Sequence, residues 1–178
     1  MRRALILHPD SRCAAVTSIE VDVARARPGV LTLHYLVTGK IGDLRLPPVM
    51  APERMDELWR HTCFEAFARM PADGGYLEFN FAPSTQWAAY RFNGYRDGMA
   101  LADDVAVPRF DVMSGATHFE MQVAFAPPGL PDNAPWQLGL SAVIEETSGN
   151  KSYWALAHPP GRADFHHADC FALELPAA

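Results

Sequence analysis

Glu65, Glu78, Asn80 and Arg91, with Trp59 and Trp87 beside them, are the side chains of this sequence best suited to recognising a small ligand. Carboxylates and an amide accept from and donate to hydroxyl groups, a guanidinium binds through a planar fork, and an indole offers a flat apolar face with one directed N–H. In the run from Tyr76 to Phe81, Leu77, Phe79 and Phe81 share one face of an extended strand, and Tyr76, Glu78 and Asn80 share the other. The same parity groups Cys63, Glu65 and Phe67, then Trp87, Ala89 and Arg91, then His118, Glu120 and Gln122, against parities that are nearly all apolar. If these strands are neighbours, Glu65, Glu78, Asn80 and Arg91 converge on a groove with Trp87 or Trp59 at its edge. The competing reading is a solvated sheet face, or an Arg–Glu network that only fixes the fold.

Histidine supplies a second candidate chemistry. His158, His166 and His167 surround the turn Pro159-Pro160-Gly161, which could bring His158 back toward His166 as a metal or haem-iron pair. His61 with Cys63 offers another same-face chelate. No His-Glu-x-x-His or Cys-x-x-Cys-His spacing accompanies them, and singly each imidazole reads as a hydrogen-bonded loop residue. Met121, alternating with Phe119 and Val123, reads as core. Catalysis is the thinnest reading. A metal-assisted hydrolase would use His61, His158 or His166 with Glu65 or Glu145 as general base, but Glu145 and its neighbour Glu146 point to opposite faces, and neither a nucleophile elbow nor a phosphate loop occurs.

The elements that must position these groups are short strands. Alternating or β-rich runs recur at 4–7, 18–23, 31–37, 64–67, 77–81, 88–92, 118–125, 138–146, 152–157 and 171–175. They are punctuated by Pro28-Gly29, Gly42-Asp43, Asp73-Gly74-Gly75, Pro127-Pro128-Gly129 and Pro159-Pro160-Gly161. One short helix is expected over 52–59, where Pro52 suits a first turn and early acids suit the helix dipole. Trp154 reads as core and Trp136 as a loop anchor. The chain of 178 residues, 49% hydrophobic, suffices for one domain over 1–178 with a substantial core. Its formal charge of -6, with no basic run, argues against nucleic acid as a partner. The opening apolar run stops at His8-Pro9, too short for a leader or membrane span, so a cytoplasmic location without membrane contact is expected. Cys13, Cys63 and Cys170, odd in number and widely spaced, are expected to be free thiols.

Trp59, Cys63-Phe64-Glu65-Ala66-Phe67, Tyr76-Leu77-Glu78-Phe79-Asn80-Phe81-Ala82-Pro83 and Trp87-Ala88-Ala89-Tyr90 resemble a DOMON-like domain, a group similar to the family 9 carbohydrate-binding modules. The stretches 140–146, 152–159 and 164–167 resemble a bacterial cytoplasmic branch of that group. The resemblance implies an all-β, jelly-roll-like (immunoglobulin-like) β-sandwich whose relatives bind sugars or haem. The expectation is therefore a non-catalytic module for a small ligand, with a sugar or sugar-containing metabolite ahead of haem. Haem at His158 or His166, the hydrolase, and a purely structural or interaction domain are the alternatives. The residues themselves require no cofactor.

Overall fold

The structure is a computed structural model and describes residues 1–70 and 74–177. Its strands are β1 (Arg2–Leu7), β2 (Val16–Arg27), β3 (Val30–Gly39), β4 (Cys63–Arg69), β5 (Tyr76–Phe81), β6 (Trp87–Phe92), β7 (Ala100–Leu101), β8 (Arg109–Ser114), β9 (His118–Phe125), β10 (Trp136–Glu145), β11 (Lys151–Ala155) and β12 (Leu173–Leu175). A front sheet runs β7-β6-β5-β4-β10-β11, with β12 on the first residues of β10; a back sheet runs β1-β2-β3-β9-β8. Strand β1 belongs to both. Its Arg2–Leu5 half pairs with β2 and its last two residues pair with Trp154 and Ala155 of β11. All pairings between these strands are antiparallel, and the result is the all-β, jelly-roll-like sandwich expected.

The two-residue period explains how the sheets meet. In β3, Leu31, Leu33, Tyr35 and Val37 are wholly buried while Thr32, His34 and Leu36 between them are not; β9 repeats this with Phe119, Met121, Val123 and Phe125 inward. Those side chains pack on the inward face of the front sheet. Tyr35 lies 4.9 Å from Phe64 between ring centroids, Phe64 stacks on Phe119 at 5.7 Å, and Phe79 meets Phe125 at 4.5 Å. The Tyr35 hydroxyl, otherwise stranded in this apolar layer, donates to the Glu65 carbonyl at 2.9 Å. Each large side chain so buried contributes about 1.5–3 kcal/mol of transfer free energy.

The expected helix over 52–59 does not form. The Trp87 amide donates to the Glu53 carbonyl and the Met55 amide to the Trp87 carbonyl, both at 3.0 Å, so this segment pairs with the start of β6. The Arg54 guanidinium sits 4.2 Å over the Trp87 ring and donates to the carbonyls of Ala102 and Val105. These tertiary contacts override a weak local preference, and only one 3-10 turn, Leu58–Arg60, follows a left-handed Glu57. Trp136 is likewise not a loop anchor. It opens β10 wholly buried, its Nε1 donating to the Pro131 carbonyl at 2.9 Å beneath the Arg25 guanidinium. Asp73 of the expected Asp73-Gly74-Gly75 turn lies outside the described residues. The three cysteines are free thiols, and no described helix is long and apolar enough to cross a membrane.

Candidate functional site

The front sheet departs from the usual one-sided pattern: every residue of β5, and β4 from Cys63 to Ala68, is buried. Its outer face is covered by the segments around 58–61, 93–99 and 157–171. Gly139 marks how closely the cover approaches, since a β-carbon there would stand 3.1 Å from the Cys170 carbonyl oxygen and 3.4 Å from Phe67 Cβ. Cys170 in turn donates its thiol toward the carbonyls of Ala157 and Asp164.

Under that cover the sheet register builds a polar floor. Glu65 of β4 lies opposite Asn80 of β5 on one side and Ser141 of β10 on the other, and Glu78 lies two residues before Asn80. Ser141 Oγ donates to Glu65 Oε2 at 2.9 Å, and Asn80 Nδ2 donates to Glu78 Oε1 at 2.7 Å. The Cys63 thiol donates to Asn80 Oδ1 at 3.4 Å and thereby fixes which end of the amide faces Glu78. Glu65 is 3% exposed, Glu78 5% and Asn80 0%.

A cavity of about 380 Å³ opens above the two carboxyls. Trp59, Phe92, Tyr153 and Phe165 line it with Val143, Ala163, Met99, Arg96 and His166. Its mouth is held by an internal chain of contacts. The Arg96 amide donates to the Tyr76 hydroxyl at 3.2 Å, so that hydroxyl gives its own proton to His166 Nδ1 at 2.8 Å. This leaves the His166 proton on Nε2, which is 3.8 Å from Glu78 Oε2. The Arg96 guanidinium pairs with Asp164 Oδ1 at 2.8 Å, and Tyr95 donates its hydroxyl to the other oxygen of the same carboxylate. These contacts tie the loop after β6 to the cover.

Electrostatics follow from this burial. Loss of solvent pushes the Glu65 carboxyl well above the carboxylate range; the charge of Glu78 adds to the rise, and the Ser141 hydrogen bond and Arg96 oppose it. Burial likewise pushes Glu78 up, against its Asn80 hydrogen bond and Arg96. His166 is driven down to about 4 by burial and by Arg96, against the pull of Asp164, so its ring is neutral at neutral pH. The floor thus presents carboxyl oxygens, a hydroxyl and an amide, inside walls that are mostly aromatic.

Trp59, Glu65, Glu78 and His166 line this cavity, and Asn80 supports its floor. Trp87 and Arg91 do not join them. Register places Ala88, Tyr90 and Phe92 beside Asn80, Glu78 and Tyr76, so the parity assigned to β6 was reversed. Trp87 faces the sandwich core, 1% exposed, and the Arg91 guanidinium reaches Asp104 at the sheet edge, 2.9 Å away and solvated. Glu120 and Gln122 lie on the outer face of the back sheet, with Glu120 2.9 Å from His34. His158 does not pair with His166: its Nε2 donates to the Ile6 carbonyl at 2.8 Å, and its ring meets His8 edge-on at 4.8 Å. His61 and Arg45 are bound to Glu145, at 2.7 and 3.2 Å, and none of the three lines the cavity.

The donor set does not fit haem. His166 is the cavity's lining histidine, and it stands beside two buried carboxyls, where the carboxylates of haem would meet like charge. No three His, Cys, Asp or Glu side chains among the described residues are grouped to hold a metal ion. Sequence reasoning missed Arg96, Tyr153, Phe165 and Ser141. Tyr153 was within reach, because assigning Trp154 and Ser152 to the core sends Tyr153 to the outer face.

No family model and no curated protein matches this chain. Among solved structures it is similar to one described as a putative carbohydrate-binding protein from Bacteroides uniformis, with a TM-score of 0.69 and 13% identity over 96% of this chain and 83% of that one. It is similar to a family 9 carbohydrate-binding module from Caldicellulosiruptor kristjanssonii in complex with cellotriose, with a TM-score of 0.57 and 8% identity over 90% and 74% of the two chains. A family 9 module from the same organism in complex with glucose gives 0.51 and 10%, over 88% and 76%. At these identities the likeness is one of fold, the β-sandwich on which those carbohydrate-binding proteins are built.

Proposed function

We propose that this chain is a one-domain, non-catalytic binding module whose front-sheet cavity takes a small polyhydroxylated ligand, a sugar or sugar-containing metabolite. The observation that carries this reading is the polar floor of Glu65, Glu78, Asn80 and Ser141 beneath the walls of Trp59, Phe92, Tyr153 and Phe165. Sugar hydroxyls need closely spaced acceptors and donors, and the apolar face of a sugar ring needs a flat aromatic surface. Both are present within one cavity of suitable size. The fold shared with carbohydrate-binding proteins supports the reading without assigning a ligand.

Calorimetric titration with glucose, cellotriose and their amino-sugar counterparts tests it. Saturable binding to at least one sugar is expected, weakened about tenfold or more by Trp59→Ala at unchanged thermal stability. Absence of binding to every sugar tried, or affinity indifferent to Trp59→Ala, would count against this cavity as a sugar site.

A further inference from the structure

When Glu65 and Glu78 are ionised, the charges around the cavity do not balance. Glu65 and Glu78 bring two carboxyls to its floor, each buried beyond nine-tenths, and each has one oxygen with no hydrogen-bond partner among the described residues. The cations at hand are engaged or neutral. Arg96 is committed to Asp164 through two contacts, at 2.8 and 3.3 Å, and the His166 proton sits 3.8 Å from Glu78. A buried carboxylate without a cation is costly, and proteins ordinarily bury such groups in pairs with an opposite charge. Here open space occupies the position where that charge would stand.

From this imbalance, and resting on the sugar reading above, we infer that Glu65 and Glu78 form the seat for the ammonium group of a basic ligand, an amino sugar rather than a neutral or acidic one. An ammonium supplies three donors, enough for the one oxygen left free on each of the two carboxyls, in charge-assisted bonds roughly twice as strong as neutral ones. The walls suit it too. Trp59, Tyr153, Phe92 and Phe165 provide aromatic rings around the two buried carboxyls, and a cation gains from nearby π systems. A phosphate or sugar acid would meet the same two carboxyls as repulsion. A neutral sugar would require one of them to stay protonated.

The test is a set of titrations at pH 7 on the unmodified full chain with D-glucosamine, D-glucose, N-acetyl-D-glucosamine and ethanolamine. Glucosamine is expected to bind at least tenfold more tightly than glucose or N-acetylglucosamine, a difference of about 1.4 kcal/mol. In Glu65→Gln/Glu78→Gln the ratio should fall to within about twofold, whatever the absolute affinities. If the double variant does not fold, each single variant should still reduce the ratio. Glucose binding as tightly as glucosamine would overturn the ammonium seat and leave the sugar reading standing. Ethanolamine binding with no sugar binding would keep the seat and remove the sugar. Binding of none of the four would overturn both.

Discussion

The outer faces of the two sheets carry similar residue types and have opposite fates. On the back sheet, His34 and Glu120 pair at the surface with side chains 33% and 32% exposed, and Arg2 and Asp22 pair in a more open setting. On the front sheet, Glu65, Glu78 and Asn80 lie beneath a cover and beside Phe67, Tyr76, Tyr90 and Phe92. The difference lies in the company each polar residue keeps. Glu120 alternates along its own face with His118 and Gln122, whereas Glu65 alternates with Cys63 and Phe67. Aromatic residues on both parities of a strand indicate that both faces pack, and polar groups among them then need internal partners.

The sharpest way to break this comparison is to truncate the front face. Phe67→Ala should cost about 3–5 kcal/mol in denaturant unfolding, because Phe67 is 1% exposed and packs edge-on to Phe171 and His166. A cost below about 1 kcal/mol would mean that the cover rests loosely on the sheet.

An intermediate effect should come from pH. Glu65 and Glu78 titrate higher in the folded chain than in the unfolded one, so the folded state holds protons that the unfolded state has released, and stability falls as pH rises from the ordinary carboxylate range through neutrality. His166 acts in the other direction at lower pH: its folded value near 4 lies below its unfolded one, so stability is lost as pH falls from 6.5 toward 4. One imidazole offsets only one of the two carboxyls over this range, so stability should be highest at about pH 4–5 and decline above it by on the order of 1–3 kcal/mol. Glu65→Gln should flatten the alkaline side, as read from unfolding at a series of pH values. A profile unchanged by Glu65→Gln would place that decline elsewhere.

The smallest effects belong to solvated pairs. His34→Ala on the back face and Arg91→Ala at the front edge should each change stability by less than about 1 kcal/mol in the same assay. A loss of several kcal/mol for Arg91→Ala would restore the buried network that its sequence context suggests.

The strands were legible because alternation and Pro/Gly punctuation are local signals. Strand β8 escaped because at an exposed edge only Phe110 and Val112 alternate, and β7 is two residues long. The floor of the site was legible for the same local reason: Glu78 and Asn80 oppose Phe79 and Phe81. Strand β6 misled because both of its parities are mixed. Arg91 drew the assignment toward Trp87 and Ala89, while Tyr90 and Phe92 on the other parity were the true neighbours of Glu78 and Tyr76. The cover was not legible at all. Residues 157–171 have no period, and Arg96, a left-handed residue in a turn, reaches Asp164 through contacts that no spacing in the sequence encodes.

Strand β1 also sets an order of events. Its first half can pair early with β2, a short distance along the chain, but its last residues must wait for Trp154 and Ala155, nearly the whole chain away. Closures over such separations are slow, and sandwiches dominated by them fold in milliseconds to seconds. The β4–β5–β6 meander that carries Glu65 and Glu78 needs none of that delay. During refolding the acidic floor should therefore form before its roof, with Trp154 reaching its core environment ahead of the first ligand capture.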